Sequence, residues 1–229
     1  MDLTRAIDIY CERTGPEFWS EPVNALTNLS FFAAAYWAWR LAEREGKTDP
    51  VIVMLVLMTA AVGTGSFLFH TFAEIWSAMA DVWAIYLFSL TYALVALRRF
   101  FGLRPVAVVF AMFGIIAALY FVSTYWPASL MPNLPDLNGS EAYAPAVAFQ
   151  IGLTTVLAIS GNPAWRGIAA AAVTFLISLG FRSFDFRICD SFPLGSHFAW
   201  HVLNGLVFVF LLGTLIRHDQ RPEAEPAPA

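Results

Sequence analysis

Residues 196–217, SHFAWHVLNGLVFVFLLGTLIR, carry no formally charged side chain before the final arginine. About 20 predominantly apolar residues suffice to cross the ~30 Å hydrocarbon core of a bilayer as a helix, so this stretch predicts a membrane span. Two histidines open it, His197 and His201, at the i, i+4 spacing that places both rings on one helical face. Six more apolar runs precede it, at roughly 23–42, 51–72, 77–97, 106–125, 144–160 and 168–184. The connectors between them are short and carry turn chemistry or charge, as in Glu43 to Pro50, Arg98 to Pro105 and Gly161 to Gly167. With 59% hydrophobic and only 13% charged residues, the 229-residue chain is too apolar for an ordinary water-soluble domain. The expected fold is an all-α membrane protein, a seven-transmembrane-helix bundle occupying 23–217. It is preceded by a polar segment 1–22 and followed by a Pro/Ala/Glu-rich tail 218–229 expected to be disordered.

Basic residues set the expected orientation, because lysine and arginine are retained on the cytoplasmic side. With the N-terminus outside, the cytoplasmic set is Arg40, Arg44, Lys47, Arg98, Arg99, Arg104, Arg166, Arg217 and Arg221, against Arg5, Arg13, Arg182 and Arg187 outside. The bias predicts an outer N-terminus and a cytoplasmic C-terminus. The N-terminus opens polar, with Asp2, Arg5 and Asp8, so a cleavable signal peptide is not expected. Compact loops and a short tail fit an integral protein of a bacterial inner membrane. Cys11, before the first run, and Cys189, before the last, then share the oxidising side, where a disulfide between them is expected to persist. Two unrelated thiols are the bland alternative.

In this topology His70 lies at the outer end of the second run, Asp81 near the outer start of the third, and His197 and His201 at the outer start of the seventh. Ionisable groups inside membrane spans are costly and are functional-site candidates by default. A single histidine near a helix end is more often a helix–helix tie than a ligand. Three at matched depth beside a carboxylate are the ligand types zinc uses, and they point to an intramembrane metalloenzyme. Ser66 stands one turn before His70, although beside Gly63 and Gly65 it is also explained as a small packing residue. In the N-terminal segment Asp8, Glu12, Glu17 and Glu21 gather carboxylates just outside the membrane. Hard cations such as calcium take ligands of this kind, and solvated acids are the simpler reading.

Taken together, Tyr10-Cys11-Glu12, Glu21-Pro22-Val23-Asn24-Ala25-Leu26-Thr27-Asn28, Gly65-Ser66-Phe67-Leu68-Phe69-His70, Asp81 and His197-Phe198-Ala199-Trp200-His201 with Asn204-Gly205 resemble the alkaline ceramidase family. That family belongs to a wider group of seven-helix membrane hydrolases that includes the adiponectin receptors. The resemblance implies zinc ligands at His70, His197 and His201, an acid that orders a zinc-bound water at Asp81, and a hydroxyl near the scissile group at Ser66. It implies calcium ligands at Glu12 and Glu21, and more loosely at Asp8, since Ile9 fills the place of the family's aspartate. A further calcium ligand between Glu12 and Glu21 does not align; Thr14 or the Tyr10 carbonyl would fill the gap. It also implies the Cys11–Cys189 disulfide and an acid of the same loop at Asp185.

A zinc with three protein ligands keeps an open position for water, whose pKa falls from about 15.7 to roughly 7. Asp81 is placed to take the water's proton and deliver it to a leaving amine. Ser66 is placed to hydrogen-bond a developing oxyanion. Phe67, Phe69, Trp83 and Trp200 are the aromatic residues expected to wall an acyl chain. The leading expectation is therefore a zinc-dependent amidase that hydrolyses ceramide to a sphingoid base and a fatty acid, with the bilayer as its milieu and no nucleic-acid partner. A lipid-binding, receptor-like or transport protein with a structural metal is the alternative, as is a hydrolase of another lipid amide or ester.

Overall fold

The computed structural model describes residues 2–125 and 137–218, all of whose extended regular elements are helical. The tail expected to be disordered lies outside the described residues beyond His218. The helices are α1 (Pro22–Thr27), α2 (Leu29–Arg44), α3 (Pro50–Phe72), α4 (Ile75–Phe101), α5 (Pro105–Tyr125), α6 (Ala144–Ile159), α7 (Trp165–Phe184) and α8 (His197–Arg217). Short 3₁₀ turns lead into α6 at Ser140–Tyr143 and follow α7 at Asp185–Arg187. Every expected apolar run is helical, and five of the described helical segments are long and apolar enough to cross a membrane. The chain is thus a multi-pass membrane protein by length and composition.

Helix ends follow local chemistry. The Asp49 side chain accepts from Val51 N and Ile52 N, and Pro50 starts α3 where its missing N–H costs nothing. Glu74 and Ser77 form a reciprocal capping box at the start of α4, and Gly102 ends that helix in the left-handed region at φ 61°. The first run departs from expectation, because it divides at Asn28 into α1 and the 16-residue α2. Thr27 Oγ1 bonds back to the carbonyls of Val23 and Asn24, and Asn28 Nδ2 to that of Asn24. Such side-chain bonds compete with the regular ladder.

α2 packs between α3 and α8; α4 lies against α3, α7 against α8, and α6 against α7. Small residues bring the backbones together, as is usual where lipid removes the hydrophobic drive between helices. A Cβ on Gly65 would lie 2.7 Å from the Ala80 carbonyl oxygen, and one on Gly205 2.7 Å from Ser30 Cβ. The first of these contacts seats α3 directly on the turn of α4 that carries Asp81. α8 is the most buried of the five long apolar segments, with Leu212, Leu215 and Ile216 in the core.

At one end of the bundle the N-terminal segment folds over the helices. Ile7 N donates to Ala73 O, Ile75 N to Arg5 O and Trp76 N to Leu3 O, so that segment pairs with the turn between α3 and α4. A disulfide joins Cys11 to Cys189 across 178 residues. The opposite end carries the basic residues at the ends of α2, α4 and α8, including Arg40, Arg44, Arg98, Arg99 and Arg217.

Candidate active site

His70 comes from the last turn of α3, while His197 and His201 occupy the first two turns of α8. The packing of α3, α2 and α8 brings the three rings together, with centroids 5.1 Å apart for His70 and His197 and 4.6 Å for each other pair. One nitrogen from each ring lies within 4.8 Å of the other two, and all three residues are buried. This is the one metal-competent cluster of three or more such side chains among the described residues.

Each ring is held from behind. His70 Nδ1 meets Glu21 Oε2 at 2.6 Å, and His201 Nδ1 meets Thr27 Oγ1 at 2.9 Å. Because the Thr27 hydroxyl donates to backbone carbonyls, it accepts from His201 Nδ1–H, which fixes the tautomer and leaves Nε2 with its lone pair. Tyr10 stacks on the His197 ring at 3.5 Å and 16°. His197 Nδ1 and His201 Nε2 are buried without any hydrogen-bond partner. Orphaned buried nitrogens are expensive, and a bound metal ion would satisfy both. Three clustered imidazoles, two of them held by an outer hydrogen bond and the third by a stacked ring, are the donor set of an open zinc site, so the residues fit zinc.

Asp185 fixes the start of α8. Its Oδ1 accepts from Ser196 N at 2.7 Å and His197 N at 2.9 Å, and its Oδ2 from Cys11 N at 2.9 Å. One buried carboxylate therefore joins the N-terminal segment, the loop before α8 and the first histidine of the pair. Asp81 and Ser66 both line a cavity of about 270 Å³ walled by residues of α2 to α8, and Oδ1 of the Asp81 carboxylate is buried without a hydrogen-bond partner. The cavity walls are mainly apolar, with Phe149, Trp200, Phe208 and Leu211 among them.

Of the expected aromatic walls only Trp200 borders this cavity. Phe69 packs instead edge-on against Tyr10, Phe67 meets Trp19, and Trp83 faces outward with 57% exposure. Aromatic content reports apolarity without reporting which face of a helix turns inward.

The acids read as calcium ligands do not assemble a cage. Glu12 accepts from Val23 N at 2.6 Å and Asn24 N at 2.7 Å, which makes it the cap of α1. Burial pushes its carboxyl up from the ordinary value despite those two amides. Glu21 is engaged by Arg13, Asn24 and His70. Burial opposes its ionisation, but His70 and the Arg13 guanidinium outweigh it and hold the carboxyl below the usual range. Asp8 is exposed and stands apart. Calcium takes six to eight oxygens; here the two buried carboxylates already have partners, and the one orphaned oxygen beside them is Asn24 Oδ1. The residues do not fit that ion.

The side chains of Arg182 and Tyr10, like that of Arg13, escaped the sequence reading. Arg182, in the last turn of α7, is buried with its guanidinium 5.9 Å from the Tyr10 ring, 5.5 Å from Tyr143 and 5.9 Å from Trp200, and it donates to Asn138 O and Ser140 Oγ. Its place inside the sixth apolar run was the available signal. Tyr10 had none, since its stacking on His197 depends on how the N-terminal segment folds back.

The family model described as Ceramidase matches residues 10–226, nearly the whole chain, and includes every histidine, carboxylate and cysteine of this site except the exposed Asp8. No curated protein matches the sequence. On the strength of that match, the chain belongs to the ceramidase family.

Proposed function

We propose that this protein is an intramembrane zinc-dependent amidase that hydrolyses ceramide to a sphingoid base and a fatty acid. The observation that carries the reading is the cluster of three buried histidines next to an apolar cavity lined by Asp81, by Ser66 one turn before His70, and by Trp200, whose ring lies 6.4 Å from that of His197. His70, His197 and His201 would hold the zinc, which when bound supplies Lewis acidity and an activated water. Glu21, Thr27 and Tyr10 keep the imidazoles in the tautomer and orientation that ligation needs. Asp81 takes a proton from the attacking water and returns it to the leaving nitrogen, a general acid–base role. Ser66, in the same cavity as Asp81, is assigned to donate to the carbonyl oxygen as charge develops. The apolar walls receive an acyl chain and keep bulk water from the reacting amide.

The same proposal assigns seven membrane crossings over residues 23–217, a 1–22 segment outside and a cytoplasmic tail at 218–229, in the inner membrane of a bacterium. The basic residues at the end opposite the histidines support this orientation, as does the disulfide at the histidine end. In intact cells without reductant, Cys11 and Cys189 should resist alkylation, and a membrane-impermeant reductant should expose both. Labelling that requires permeabilised cells would reverse the assigned sidedness.

Catalysis is tested by following release of sphingoid base and fatty acid from ceramide by mass spectrometry. Turnover should stop on treatment with a zinc chelator and return with zinc. Equal turnover in protein shown to be zinc-free would refute the reading.

A further inference from the structure

Arg13 is buried, with its side chain 4% exposed, and each of its three guanidinium nitrogens donates to a different acceptor. Nε meets Glu21 Oε1 at 2.5 Å, one terminal nitrogen donates to Gly15 O at 3.0 Å, and the other donates to His70 O at 3.1 Å. Glu21 uses its second oxygen on the His70 ring at 2.6 Å. His70 is consequently gripped twice from one charge pair, through its imidazole by Glu21 and through its own carbonyl by Arg13. The planar fork of arginine suits this arrangement, because it spreads one positive charge over divergent donors in fixed directions.

We infer that Arg13 is a positioning residue of the histidine site: a built-in cation that neutralises Glu21 and fixes His70, in the place where the family resemblance implies a calcium ion. The inference rests on the proposed zinc amidase for its effect on turnover, though not for its effect on the folded protein. A buried carboxylate bonded to an imidazole needs a compensating charge. A metal ion would need that carboxylate's oxygens, and the guanidinium already holds one of them while His70 and Asn24 share the other. The backbone oxygens of Gly15 and His70, which would otherwise be available to a cation, point to the same group. Fold and site are therefore calcium-independent in this chain.

The experiment compares wild type, Arg13→Ala and Arg13→Gln in calcium-free buffer and with millimolar calcium, reading melting temperature, zinc retained against a competing chelator, and ceramide turnover. Wild type should be unchanged by calcium in all three. Loss of an outer hydrogen-bond partner typically weakens metal affinity or activity about 10–100-fold, and both variants should fall in that range. Low millimolar guanidinium should raise the melting temperature and turnover of Arg13→Ala, whereas urea, similar in shape but uncharged, should not. A calcium-dependent gain in wild type would overturn the inference, as would variants matching wild type or equal rescue by urea. If the wild type proves inactive on ceramide, guanidinium rescue of melting temperature still reads the role of Arg13, so the two failures are distinguishable. If Arg13→Ala does not fold, Arg13→Gln carries the calcium and zinc comparisons alone.

Discussion

Replacing His201 with alanine is expected to leave the purified protein with little zinc and to lower ceramide hydrolysis at least about a thousandfold. Metal ions at such centres supply several kcal/mol of transition-state stabilisation, and each 1.36 kcal/mol is a tenfold change in rate. His201 is the most exacting choice, because its Nε2 is buried and unpartnered while its Nδ1 is already held by Thr27. The alanine removes a ligand without freeing a charge. Elemental mass spectrometry on wild type and variant, beside melting curves, separates loss of metal from loss of fold. Thr27→Val provides a graded control: it keeps every ligand but removes the group that sets the tautomer, and about 10–100-fold is the expected loss. Full turnover in a zinc-poor His201→Ala protein would end the metalloenzyme reading.

The second large effect is expected at Asp81. Asp81→Asn preserves shape and leaves the three histidines intact, yet cannot take a proton, so kcat should fall by about 10²–10⁴ with zinc content unchanged. Ser66 lines the same cavity as this carboxylate, and Gly65 allows α3 to lie close against the turn of α4 that carries it. Ceramide turnover measured alongside zinc per mole decides between two roles. Loss of both would make Asp81 a ligand, and near-normal kcat would remove it from the chemistry.

Much of this arrangement was legible in the sequence for one physical reason. Ionisable and polar groups are conspicuous against an apolar background, so His70, Asp81, His197 and His201 identified themselves, and the apolar runs located the helices to within a few residues. The break at Asn28 was not legible, because Asn24, Thr27 and Asn28 are tolerated in an apolar run and their return to the backbone shows only in three dimensions. Arg13 and Tyr10 were hidden for a different cause. Their contacts with the histidines lie far along the chain, at His70 and His197, and the segment carrying them has no periodicity of its own. The acids of that segment showed their composition but not their partners: a carboxylate that caps a helix and one that faces an arginine read the same as a pair awaiting a cation.

Asp185 and the Cys11–Cys189 bridge set a schedule for the protein's birth. Two of the three histidines lie on α8, and Tyr10, which stacks on His197, and Cys11, which bonds Asp185, come from a segment synthesised before any of the helices. A nascent chain, or any product ending before residue 197, holds a single histidine of the cluster and has an unanchored N-terminal cover. Hydrolytic competence would therefore arrive in one step, with insertion of α8, and the host bilayer would not meet a half-built hydrolase before that helix is made.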